Sequence, residues 1–350
     1  MLRSLKNYCQ QRSDEVDDDS AELINWGIRE DFIYEAKERA QLGRPRLLQL
    51  DGWSQPFVRL IPPLSDSDQR DRPGASDRRN SSTVNRIVDR LSDVKSLDGP
   101  ATTHAVDEMA ARLFAEAQNF APAIEAIRNS AHVHIRRGAR WLQIKPIVIQ
   151  SPPGAGKTTF VHKLAAAAGL PLVYLDCSAM STISPIVSQD SSWGNSRHSE
   201  IIEGLSLSSS ANVLVCLDEL DKLRDYGRHS NPEPSEAVVG LLERRSAAAH
   251  IDNFLQLQVD MSFVNWIILV NDLPRLSRQL LDRCQVIRLP PPSPADIGHI
   301  AAQEIERRGL EPELVEPIRQ AVRKGKITSL RKLHKLLDAA AAASSRPRLH

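Results

Sequence analysis

The chain has almost no net charge. Its 45 Lys and Arg stand against 44 Asp and Glu, a formal balance of +1 over 350 residues. That balance gives no bulk electrostatic case for nucleic acid as a partner. Cysteine is scarce, and Cys9, Cys177, Cys216 and Cys284 are scattered with no C-x-x-C. The pattern argues against a disulfide framework or a thiolate metal site and predicts buried, reduced thiols. His132 and His134 alternate without an acidic or cysteine partner at metal spacing, so they read as solvated helix-surface side chains. No apolar run reaches 18 residues, and Met1 to Lys6 has no apolar region behind it. The expectation is a soluble, cytoplasmic protein with no membrane partner. No internal repeat occurs at a fixed period.

The first hundred residues say least. Asp14 to Asp19 is an acidic cluster, and Ala21 to Gln41 carries Leu23, Trp26, Ile28, Phe32 and Ile33 as a candidate helix. Residues 1–60 therefore read as a small docking element or as weakly ordered chain. Pro62 to Ser82 is rich in Ser, Asp, Arg, Pro and Gly with little to bury, so residues 61–100 are expected to be a disordered linker.

From Thr103 the pattern turns helical, with Met109, Leu113, Phe114 and Ala117 at helical spacing and a second helix around Ala123 to Ile135. Apolar strands then alternate with helices: Pro146 to Ile149, Leu172 to Leu175, Val213 to Leu217, Trp266 to Val270 and Val286 to Leu289. This predicts an α/β fold with a parallel sheet covered on both faces. After Pro290-Pro291-Pro292 the chain reads as three helices, Pro294 to Arg308, Pro312 to Arg323 and Ser329 to Ala343, followed by a frayed tail over 344–350.

The most informative segment is Ser151-Pro152-Pro153-Gly154-Ala155-Gly156-Lys157-Thr158-Thr159, between an apolar strand and an Ala-rich helix. This is a phosphate-cradling P-loop: backbone N–H groups and the helix N-terminus face phosphate oxygens. Lys157 can reach the β- and γ-phosphates, and the Thr158 hydroxyl can ligate Mg²⁺. Ser151 replaces the first glycine of the consensus, which a residue of negative φ can do. Downstream, Val213 to Leu217 ends in Asp218-Glu219, where a P-loop protein holds Mg²⁺ and polarises water. Asn271 ends the Trp266 to Val270 strand and can hold that water, or can simply start a turn with Asp272. Arg283, in Leu280-Leu281-Asp282-Arg283, can reach a neighbouring subunit's γ-phosphate, or can be a solvated helix-end arginine.

In order, these residues resemble the AAA+ ATPase family, and within it the ATPase module of Lon-type proteases. Cys216 to Lys222 looks like Lon's Walker B segment, and Pro234-Ser235-Glu236-Ala237 to Glu243 like the next helix. Asp252-Asn253-Phe254-Leu255 with Val259-Asp260 looks like the sheet insertion, and Leu280 to Arg283 matches the arginine-finger segment. Thr328 to Leu333 resembles the lid's sensor 2, making Arg331 the cis-acting arginine. The resemblance covers about residues 100–340. It implies an AAA+ nucleotide-binding domain over 101–291 with a helical lid over 292–343. Pro153 to Thr159 with Asp218 would bind ATP, and Thr158 with Asp218 would hold Mg²⁺. The catalytic set would be Glu219, Asn271, Arg283 and Arg331. Lon's Ser–Lys peptidase domain has no counterpart in the segment that resembles it, so a stand-alone, chaperone-like ATPase is expected.

In this family an aromatic loop after the second strand grips polypeptide, and the spacing puts Trp193-Gly194 near it. A gripping role and a Trp packed under its own loop both fit. Lys222, Arg224, Tyr226 and Arg228 form a small basic–aromatic patch that reads as a solvated loop. The resulting expectation is an ATP-driven remodelling enzyme working as a hexamer on a protein substrate. A DNA-associated switch or loader and a non-hydrolysing ATP-binding scaffold are the competing classes.

Overall fold

The computed structural model describes residues 47, 56–61, 78–189, 197–223 and 234–344. The expected features at Asp14 to Asp19, Ala21 to Gln41, Trp193-Gly194, Arg224, Tyr226, Arg228 and 345–350 lie outside these residues. The described chain opens with β1 (Phe57–Val58), helix α1 (Arg78–Ser92) and β2 (Lys95–Ser96), and β1 pairs antiparallel with β2. Helices α2 (Thr103–Glu116) and α3 (Ala121–Arg136) lead into β3 (Ile147–Gln150) and α4 (Lys157–Ala168). Then come β4 (Leu172–Asp176), α5 (Glu200–Leu207) and β5 (Leu214–Asp218). Three short helices, α6 (Pro234–Ala237), α7 (Val239–Leu242) and α8 (Arg244–Ala248), precede the antiparallel pair β6 (His250–Asp252) and β7 (Leu257–Val259). The last elements of the sheet are β8 (Asn265–Val270), α9 (Arg278–Arg283) and β9 (Gln285–Arg288). Helices α10 (Pro294–Arg307), α11 (Val315–Arg323) and α12 (Leu330–Ser344) complete the chain.

The main sheet is wholly parallel, in the order β4-β5-β8-β3-β9. Its central strands are buried on both faces, which explains why their sequences are nearly continuous apolar runs. Alternate residues feed different cores. Val148, Val215, Leu217, Ile268 and Val270 join α1 and α5 on one face. Ile147, Ile149, Leu214, Cys216, Ile267 and Leu269 join α2, α3 and α4 on the other. The C-terminal helices have their own core around Ala301, Leu333 and Leu337. Helix α10 starts on a capping box between Ser293 and Asp296 with Pro294 in its first turn, so its boundary was readable from sequence.

Of the disordered linker expected over 61–100, residues 62–77 lie outside the described residues, and the part from Arg78 to Asp98 is corrected. Val84, Ile87, Val88 and Leu91 recur at helical spacing along α1, each at most 4% exposed, and Leu97 is fully buried. Fully burying each such aliphatic side chain contributes about 1.5–3 kcal/mol, ample reason for the segment to order. Asn212 fastens it further: its Oδ1 accepts from the Asp98 N–H (2.8 Å), while its Nδ2 donates to the Asp98 and Leu142 carbonyls (2.9 Å each). The surface placement of His132 and His134 is also corrected, since both are buried. His132 Nε2 lies 2.9 Å from Asp107 Oδ1, and the His134 ring packs edge-on against Trp141. Of the four cysteines Cys9 lies outside the described residues; Cys177 and Cys216 are buried free thiols and Cys284 is half-buried. Burial pushes the Cys177 and Cys284 thiols up to about 12. Among the described residues no helix is long and apolar enough to cross a membrane.

Candidate active site

The site lies at the carboxyl ends of β3, β4, β5 and β8, where an open α/β sheet presents its ligands. The loop between β3 and α4 turns on two glycines of positive φ, Gly154 (80°) and Gly156 (89°). Ser151 is fully buried and keeps out of the left-handed region, where the non-glycine residues among those described are Glu219 and Gln256. The backbone at this position therefore does not need glycine. The loop and the start of α12 are in direct contact: the Leu330 N–H donates to the Gly154 carbonyl at 3.0 Å. A Cβ on Gly156 would come within 2.9 Å of Leu330 Cδ1, and one on Gly154 within 3.1 Å of Ser329 Cβ.

A cavity of about 560 Å³ opens between loop and helix. Pro153, Gly154, Ala155, Gly156, Lys157, Thr158 and Thr159 line it, with Asp218, Glu219, Asn271 and Arg331. Among the described residues, all sequence-derived site residues except Arg283 thus meet in one place. Lys157 is buried, and its Nζ donates to the Ser151 carbonyl (2.7 Å) and to Asn271 Oδ1 (2.8 Å). Burial lowers its pKa, while Asp218, Asp221 and Glu219 oppose that shift. Thr158 Oγ1 donates to Asp218 Oδ2 at 2.6 Å, and Tyr174 Oη donates to the same oxygen at 2.8 Å.

Glu219 is held in the left-handed region at φ 55°, a sparsely populated conformation for a side-chain-bearing residue. Its carboxylate meets Lys222 Nζ at 2.6 Å and accepts from Asn271 Nδ2 at 3.2 Å. The Lys222 hydrogen bond, chiefly, keeps its carboxyl below the ordinary range, so it is an anion and a potential proton acceptor. Asn271 therefore bridges Lys157 to Glu219. Its own backbone is fixed by Asp221, whose Oδ2 accepts the N–H groups of Asn271 (3.3 Å) and Asp272 (3.1 Å).

Arg283 sits away from the cavity at the end of α9, donating to the Gln279 carbonyl (3.1 Å) with Glu243 at 3.6 Å. Sequence reasoning missed several residues here. Tyr174 and Asp176 enter from β4, and His334, Lys335 and Asp338 follow Arg331 along α12. Helical spacing alone places the last three beside Arg331. Tyr174 could be found only by knowing that β4 pairs with β5.

A parallel sheet with a P-loop after β3, paired carboxylates at the end of β5 and a polar residue at the end of β8, the strand between them, is the arrangement of a P-loop nucleotide-binding fold. Residues 147–291 match the family described as ATPase family associated with various cellular activities (AAA). This part of the chain is similar to that family, and within it resembles the ATPase portion of Lon-type proteases. The chain is 31% identical over 148 residues to the mitochondrial Lon protease homolog of Phaeodactylum tricornutum, covering 42% of this chain and 16% of that protein. It is 28% identical over 179 residues to Lon protease homolog 1, mitochondrial, of Arabidopsis thaliana, covering 50% of this chain and 19% of the relative. The chain thus matches a fifth or less of these relatives' length. Its fold is similar to a chain of the Saccharomyces cerevisiae Hsp104:casein complex, with TM-score 0.52 and 16% identity over 67% of this chain and 46% of that one.

Proposed function

We propose that the chain binds ATP with Mg²⁺ in this cavity, hydrolyses it, and uses the turnover to remodel a protein substrate as part of a hexameric ring. The observation that carries the reading is convergence. A buried lysine, a hydroxyl on a carboxylate, a second carboxylate and an amide that joins lysine to carboxylate surround one cavity. In domain terms, we assign 101–291 to the nucleotide-binding unit and 292–343 to the lid. The ordered segment 78–98 is added to the base of the former.

The residues fit the nucleotide and the metal. Gly154 and Gly156 take the positive φ angles of a phosphate-cradling turn, and their missing Cβ atoms let the loop lie close against Ser329 and Leu330. Thr158 and Asp218 are hard oxygen donors of the kind Mg²⁺ takes. Mg²⁺ would supply charge neutralisation on the phosphate oxygens. Lys157 and the loop N–H groups would bind phosphate, whose anionic oxygens outcompete the neutral acceptors Lys157 now uses. Glu219 would orient a water and accept its proton, with Asn271 holding the other side of that water. Arg331 would donate to the nucleotide in cis. Arg283, pointing away from its own cavity, would act on the neighbouring subunit's nucleotide.

The association of Hsp104 with casein in that complex favours protein as the substrate class. The charge balance gives no support to a DNA-associated switch. The proposal concerns ATPase work and not peptide cleavage. Glu219→Gln tests it: steady-state turnover should fall about 10²–10⁴-fold while ATP binding is retained. A variant that turns over at the wild-type rate sinks the assignment.

A further inference from the structure

We infer that Tyr174 is a positioning residue for the metal site. Its hydroxyl orients the Asp218 carboxylate, through which the chain would hold Mg²⁺. The inference rests on the ATP·Mg²⁺ reading above and adds a residue that neither the P-loop nor the strand-end carboxylates predict.

Strand β4 is the edge of the sheet, and its register sets Tyr174 beside Cys216 and Asp176 beside Asp218. Tyr174 is therefore one pleat short of the carboxylate, and a phenol is long enough to reach across. Its ring lies against His162 of α4, with centroids 5.6 Å apart, and its Oη meets Asp218 Oδ2 at 2.8 Å. The helix that carries Thr158 thus also steadies the ring that serves the same carboxylate. Asp218 is only 5% exposed, so its orientation is set by protein donors more than by water. Two hydroxyls, from Thr158 and Tyr174, fall on one of its oxygens. Thr158 has a second proposed duty as a metal ligand. Tyr174 has none, and serves as the donor that stays with the carboxylate. Phenylalanine would fill the same ring volume; the hydroxyl is what distinguishes tyrosine. Second-layer donors of this kind tune metal affinity by about 10–100-fold.

The test uses the full chain and Tyr174→Phe. Mn²⁺ binding in the presence of ADP is followed by electron paramagnetic resonance, alongside ADP binding in EDTA and thermal unfolding. The expected result is Mn²⁺ affinity weakened about tenfold, with metal-free ADP affinity unchanged. In turnover, the Mg²⁺ concentration for half-maximal rate should rise by a similar factor, with kcat recovered at saturating Mg²⁺. Unchanged Mn²⁺ affinity in a folded Tyr174→Phe variant overturns the inference. Failure of the wild-type chain to bind Mn²⁺ with ADP overturns the ATP·Mg²⁺ reading instead. If the variant does not fold, 3-fluorotyrosine installed at position 174 alone gives a second measurement. Its ¹⁹F resonance should shift when Mg²⁺ is added to the ADP-bound protein, and an unmoved resonance counts against the role.

Discussion

Removing the Asp221 carboxylate should damage turnover without touching the nucleotide. One oxygen of this buried side chain accepts the backbone N–H groups of Asn271 and Asp272, at 3.3 and 3.1 Å. Hydrogen bonds to a charged acceptor contribute about 1.5–3 kcal/mol each when well formed. These two are long, so Asp221→Ala should cost about 2–3 kcal/mol in total. For a unit of this size that lowers Tm by roughly 5–10 °C. The functional effect follows from Asn271, whose side chain joins Lys157 to Glu219 across the cavity. Letting its backbone drift by an ångström can cost up to about 10²-fold in rate. We therefore expect kcat in a steady-state ATPase assay to drop about 10–100-fold, with ATP affinity near wild type. Asp221→Asn, which keeps an acceptor oxygen in place, should recover part of the loss. Wild-type kcat in a folded Asp221→Ala variant would refute the claim that the end of β8 is positioned from Asp221.

Two further expectations concern the scaffold. Ile87→Ala removes a fully buried side chain of α1 and should cost about 2–5 kcal/mol in thermal unfolding, against under about 0.5 kcal/mol for exposed Asp89→Ala; equal effects would mean α1 is not part of the core. His134 is held neutral by burial, with nearby Arg244 and Arg137 adding to the effect, and its pKa falls from 6.5 to about 3. The folded-state value is depressed, so the unfolded chain binds the extra proton first. Its stabilising contribution is full above pH 6.5 and is lost as pH falls toward 3, by on the order of a few kcal/mol. His134→Phe should flatten the slope of stability against pH in that window, and an unchanged slope would assign the effect to other groups.

What the sequence made legible was local. The P-loop is contiguous, with glycines at the two positions that need positive φ and a lysine opening the helix. Asp218 and Asn271 could be placed because each ends a strand whose apolar run is long enough to recognise. The lid helices were legible from their caps and prolines. What escaped depends on which strand lies beside which. Tyr174 has no motif and acquires its partner only through the β4–β5 register. Asp221 could be read as part of a Lon-like segment, but its hold on the β8 backbone is visible only in three dimensions. Helix α1 was lost because its four apolar residues follow a polar Ser/Asp/Arg stretch that dominates the composition there. His132 and His134 were misplaced because α2 and Trp141 cover the face that an isolated α3 would expose.

The central claim, an ATP-hydrolysing ring, is tested most directly by ATPase rate per subunit against protein concentration, with the oligomer's mass measured in ATP·Mg²⁺. The account predicts a rate that rises as a ring assembles, and an Arg283→Ala variant whose subunits still bind ATP but stay inactive in the ring. A rate per subunit that is independent of assembly, or an Arg283→Ala ring as active as wild type, would contradict it.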